Sequence, residues 1–209
     1  MDSLREQTVA RLRESILSGA LPAGTKLRER ALSEQLGVSR VPVREALMVL
    51  ESELLVDIVP RSGAVVTTFS RHEVQELFDA REVLEPLAAR LAARDGTAAG
   101  LAALSARCAA ARQASSSADD RAGATANASF HSALAEASGS GLLVSIMAPL
   151  QLRLQRLFRR TIEGRAVELV EDHERLVEAL RRHDEDSAAL LAQLHVTSTR
   201  AASLARFED

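Results

Sequence analysis

Apolar positions along the first third of the chain recur at helical spacing and then switch to strand-like runs. Leu4, Val9, Leu12 and Ile16 predict an amphipathic helix over residues 3–18, followed by a turn carrying Gly19 and Gly24. Ala31, Leu32 and Leu36 give residues 30–36 one apolar face. Gly37 then stands where a helix commonly ends in the left-handed conformation. Ser39 is expected to cap a second helix with Pro42 in its first turn, where a missing N–H is harmless. Val43, Ala46, Leu47 and Leu50 form that helix's inward face and leave Arg40 and Arg44 outside. Residues 54–59 and 64–67 read as strands, with Pro60, Arg61, Ser62 and Gly63 at a hairpin tip.

Helix, glycine turn, helix and hairpin make a winged helix-turn-helix arrangement. A helix of that size fits a DNA major groove, where outward arginines read guanine edges or hold phosphates. Beyond Phe69 the pattern is helical throughout: roughly 71–94, 97–115, 120–138, 141–162, 165–183 and 186–206. Ser70 is the expected cap of the first of these. Pro86 should start a new helix or kink this one, Gly164 should mark a later break, and residues 115–120 should be an exposed loop. The fold class is therefore mainly α: a winged helix-turn-helix domain over 1–69 and an antiparallel helical bundle over 70–209.

Composition narrows the function classes. Five Phe with no Trp or Tyr argue against single-strand and RNA binders, which stack bases on aromatic platforms. The net charge of −3 does not suggest a DNA binder, and residues 1–68 hold nine basic and nine acidic residues. Between Lys26 and Arg44, however, five basic residues face only Glu29 and Glu34, so a phosphate-binding surface depends on local placement. The single cysteine, Cys108, has no partner for an internal disulfide and reads as a packed residue. A charged N-terminus and the lack of any apolar run near ~20 residues predict a cytoplasmic protein without membrane spans.

Three histidines stand on apolar faces. His173 lies among Leu169, Val170, Leu176, Val177 and Leu180; His195 follows Leu191; His131 shares a face with Asn127 and Leu134. His173 and His195 are equally far from the turn at Asp184, so an antiparallel pair brings them level. Three inward imidazoles with an oxygen donor one turn before His131 suit a divalent transition metal. His72 and His183, at a helix start and a helix end, are expected to be solvated. Arg81 also faces inward, among Val74, Leu77, Phe78 and Leu84. It is either one half of a structural pair with Glu85, Glu82 or another acid, or a clamp for a ligand carboxylate. The sequence forces nothing acidic into that pocket, so an anion is the natural missing partner.

The run LxExxLSxxLGVSRxPVREALxxLExExLV followed by PRSGAxV, with its approach from Val9, resembles the DNA-binding domain of the GntR family of bacterial transcription regulators over residues 8–67. That resemblance implies DNA contacts from Arg30, Ser39, Arg40, Val41, Arg44, Arg61 and Gly63; many relatives carry Thr at the place of Val41. RxxLEPLAARLAA from Arg81, FHxALAExxGxxLL from Phe130 and EDHxRLVEALRRHD from Glu171 resemble the FCD effector domain of the FadR subfamily. It implies a homodimer on a palindromic operator and a small carboxylate metabolite as effector, with Arg81 lining its pocket. It further implies a divalent metal (zinc, nickel, manganese or iron) held by Asn127, His131, His173 and His195. Asn127 departs from the commoner Asp and removes one negative charge.

The expected function is a ligand-responsive transcription regulator, a repressor in most of the family. Two other readings compete with it. One is a metalloregulator whose signal is the metal itself. The other is a metal-dependent hydrolase, which would leave the winged domain unexplained and has no evident general base.

Overall fold

The computed structural model describes residues 3–115, 120–161 and 165–207. The chain divides into two compact units, Met1–Thr68 and Phe69–Asp209.

In the first unit, α1 (Leu4–Leu17) starts at a capping box in which Ser3 and Glu6 satisfy each other's backbone N–H groups. Val9, Leu12 and Ile16 are buried, but Leu4 is 52% exposed, because it lies one turn outside the stripe that meets the core. The helices α2 (Glu29–Leu36) and α3 (Arg40–Ser52) are separated by Gly37 at φ 69°, as the glycine predicted. Ala31, expected inward, is exposed, and Leu32 alone of the three apolar positions in α2 is fully buried. Val43, Ala46, Leu47 and Leu50 form the buried face of α3. Ser39 occupies the N-cap position, yet its hydroxyl accepts no backbone hydrogen bond there.

The hairpin pairs β2 (Val56–Val59) with β3 (Gly63–Val66). Leu54, expected in a strand, turns instead with φ 58°. A two-residue strand that periodicity cannot reveal, β1 (Lys26–Leu27), pairs with the other edge of β3, giving the order β1-β3-β2. This third strand explains Gly63: a Cβ there would lie 2.2 Å from the Leu27 carbonyl oxygen.

The second unit is helical. Its elements are α4 (Arg71–Asp95), α5 (Ala98–Ser115), α6 (Asp120–Ala137), α7 (Gly141–Thr161), α8 (Ala166–Arg181) and α9 (Glu185–Leu204). Ser70 and Glu73 form a capping box at the start of α4. Pro86 neither ends this helix nor begins another: α4 runs unbroken through it. A proline removes one i→i−4 bond, and the burial of Ala88, Ala89, Ala92 and Ala93 beyond it holds the helix together. The expected break at Gly164 and most of the expected loop at 115–120 lie outside the described residues. α4 and α9 run antiparallel, as pairs from Arg71 with the Leu204 and Phe207 carbonyls to Arg90 with Asp186 show. One apolar cluster gathers around Phe130, Leu134, Met147 and Leu180, a second around Phe78, Leu157 and Phe158. Among the described residues, no helix is long and apolar enough to cross a membrane.

Candidate functional site

Within the first unit, the outer face of α3, the start of α2 and the hairpin enclose an open groove of about 690 Å³. Arg30, Arg40, Arg44, Arg61 and Gly63 all border it. Ser39 and Val41 are exposed, Val41 at 63%. Arg61 sits at the hairpin tip with φ 62°, which turns the chain sharply there. Glu29, in the sequence one of only two acids among these basic residues, is the acidic centre of this groove. Its carboxylate accepts two bonds from Arg44, both at 3.0 Å, and one from Arg40 at 3.1 Å.

Within the second unit, α6, α8 and α9 carry His131, His173 and His195 to a common point. All three are buried, their ring centroids are 4.7–5.1 Å apart, and one ligand nitrogen from each falls within 4.8 Å of the others. The equal spacing of His173 and His195 from the Asp184 turn does bring them level. Asn127, one turn before His131, is also buried, and with His173 it borders a cavity of about 10 Å³.

The donors of this cluster lack partners. Both ring nitrogens of His173, Nε2 of His131, Nε2 of His195, and both amide atoms of Asn127 meet no hydrogen-bonding group among the described residues. A buried polar atom left unpaired costs about 1–3 kcal/mol, so three such histidines at one point, with Asn127 on the same small cavity as His173, call for a ligand. Burial drives the His173 imidazole well below its usual pKa, helped by His195, His131 and Arg81. Burial likewise takes His195 down to about 4, against the pull of Asp172. Both rings are neutral near pH 7, the form that offers a lone pair to a metal. Nitrogens on one tetrahedral ion lie roughly 3.4 Å apart, at about 2.0–2.1 Å from the metal, so the three rings must close in to share one. Converging buried imidazoles, those of His173 and His195 neutral, fit a divalent ion.

Two carboxylates that the sequence did not require there stand beside the histidines. Asp172 Oδ2 lies 3.3 Å from His195 Nδ1, and this bond is the main reason its carboxyl is held below the ordinary range. Glu85 Oε2 lies 3.1 Å from His131 Nδ1, within ion-pair reach but off the line of a good hydrogen bond. Carboxylates there favour the tautomer that turns Nε2 toward the common point. His173 has no such partner; its ring stacks on Phe130 at 3.8 Å.

Arg81 is 2% exposed and donates from Nε to Glu85 Oε1 at 2.7 Å and from Nη1 to Thr199 Oγ1 at 3.3 Å, leaving Nη2 unpaired. The structural pairing with Glu85 is therefore realised. Burial alone would raise the Glu85 carboxyl, but Arg81 and His131 hold it well below the usual range. Glu85 was legible as an acid four residues after Arg81; its reach to His131 was not. His72 and His183 are both exposed as expected; His183 also takes φ 56° and places Nδ1 2.7 Å from the Ala93 carbonyl, tying the end of α8 to the end of α4.

Comparison with known proteins agrees with both units. Residues 4–66 match the bacterial regulatory proteins of the gntR family, and residues 76–198 match the FCD domain. The chain is 27% identical over 191 residues to a gluconate operon transcriptional repressor of Bacillus licheniformis, covering 88% of this chain and 77% of that one. It is 31% identical over 215 residues to the HTH-type transcriptional regulator BphR of Paraburkholderia xenovorans, covering 91% and 86%. The structure of McbR/YncC from E. coli superposes with a TM-score of 0.82 at 26% identity, covering 97% of this chain and 98% of that chain. These relatives are regulators rather than enzymes, which removes the hydrolase reading. The chain belongs to the GntR family of bacterial transcription regulators, with a helix-turn-helix DNA-binding domain and a C-terminal FCD domain.

Proposed function

We propose that this regulator is a repressor that binds a palindromic operator as a homodimer and releases it when a small organic acid enters the helical unit. Arg30, Ser39, Arg40, Val41, Arg44, Arg61 and Gly63 form the DNA face. His131, His173 and His195, with Asn127 beside them, hold one divalent ion. The observation that carries the reading of the helical unit is the convergence of buried ring nitrogens that no protein group satisfies.

A divalent ion bound there supplies a positive, Lewis-acidic centre for an anionic ligand. Glu85 largely offsets Arg81, so Arg81 brings one free donor, Nη2, rather than an empty two-pronged clamp. The cavity beside Asn127 and His173 has room for at most one water, so an organic acid enters only if helices move apart. That movement is the conformational difference a ligand needs in order to act at a distance. The relative from B. licheniformis is named as a repressor of a gluconate operon, which supports both the sign of regulation and a sugar acid as ligand class. The same small cavity favours a second reading, in which the ion alone is the signal.

The test uses untagged full-length protein. Elemental analysis should find near one equivalent of zinc, nickel, manganese or iron, and chelation followed by refilling should lower and restore the melting temperature. A panel of sugar and hydroxy acids should then weaken operator binding of the filled protein. An ion that shifts operator affinity without any acid would select the second reading. No bound ion and no stabilisation by any of the four would return the histidines to an ordinary core.

A further inference from the structure

We propose that Glu29 is a positioning residue that aims the arginines of α3 and sets the ratio of specific to non-specific DNA binding. The proposal rests on the DNA-facing reading of the groove. Glu29 is the first residue of α2, and its side chain is 18% exposed, while those of Arg44 and Arg40 are 61% and 62% exposed. One carboxylate thus fastens two long, solvent-facing side chains. Arg44 is engaged through both Nε and Nη2, which fixes the plane of its guanidinium. The Arg44 hydrogen bonds hold the Glu29 carboxyl below its ordinary range, so it stays charged.

A carboxylate in a groove lined by Arg28, Arg30 and Arg61 works against a polyanion, because it repels phosphates and occupies donors they would take. What it contributes is order. An arginine reads a guanine through two parallel bonds, and a fork already held in one plane loses less freedom on meeting that edge. Glu29 should therefore weaken sequence-independent contact and strengthen base reading.

The probe is a duplex recovered from a randomised library with the wild-type protein, measured against random duplex over a range of salt. Glu29→Gln keeps the shape and removes the charge. Its affinity for random duplex should rise several-fold, with a salt slope steeper by about one. Its affinity for the selected duplex should fall, so that discrimination drops about tenfold or more. Adding Glu29→Gln to Arg44→Ala should lower discrimination much less than it does in the wild type. Unchanged discrimination, or a parallel fall on both duplexes, would overturn the proposal, since a merely structural role weakens both alike. Full discrimination by Arg44→Ala alone would instead overturn the reading of the groove on which it rests.

Discussion

Three imidazoles cannot be buried against one another and left unpaired without cost, and the side chains around them show how that cost is limited. Asp172 and Glu85 each approach the Nδ1 side of one ring, so that a metal would meet Nε2 of His195 and His131. Asp172→Asn should therefore lower metal affinity about 10–100-fold, read by competition with a chromogenic chelator. Asp172 is partly exposed, so folding should survive the change. Glu85→Gln should lower affinity similarly but also destabilise the unit by about 3–5 kcal/mol, because it leaves the Arg81 guanidinium buried without a countercharge. Equal chelator competition by wild type and Asp172→Asn would show that the carboxylate does not orient its histidine.

At the scale of elements, the hairpin depends on a backbone approach rather than on side-chain packing. Gly63 has φ 102° and lies against the Leu27 carbonyl, where β1 meets β3. Gly63→Ala should thus cost about 2–3 kcal/mol in the first unit, since neither the angle nor the carbonyl can accommodate a Cβ. Thermal or urea unfolding followed in that unit would measure the loss, and operator binding should weaken with it. Gly37→Ala, in open space and burdened only by its φ of 69°, should cost less. A loss at Gly37 equal to that at Gly63 would remove the steric argument.

For the molecule as a whole, the dimer we propose needs a face. Val83 and Leu87 on α4, with Leu190 and Leu194 on α9, are large, exposed and spaced one helical turn apart on adjacent antiparallel helices. Leu87 and Leu190 border one groove together with Pro86 and Ala189. An apolar stripe of this kind suits a two-fold contact in which the same patch serves both copies. Leu87→Glu combined with Leu190→Glu should convert the dimer to monomer in sedimentation, and should weaken operator binding more than it weakens the folded unit. A double variant that remains dimeric would place the contact elsewhere.

Local pattern determined much of this protein. The helical periods, the caps at Ser70 and Asp184, the turn at Gly37 and the buried face of α3 are all consequences of residues a few positions apart, and equal spacing from the Asp184 turn set His173 and His195 level. What the tertiary structure decided involves partners distant in sequence or rules that distant packing overrides. β1 is too short to show a period and exists only because β3 lies beside it. Pro86 reads as a new helix start or a kink, and only the burial of the alanines beyond it shows why α4 continues through it. Glu29 reads as a stray acid until Arg40 and Arg44, 11 and 15 residues on, close around it. Glu85 reads as the partner of Arg81 alone until α6 brings His131 to its other oxygen, 46 residues away. Spacing along a helix reports which face a residue occupies; only the packing of helices decides what that face meets.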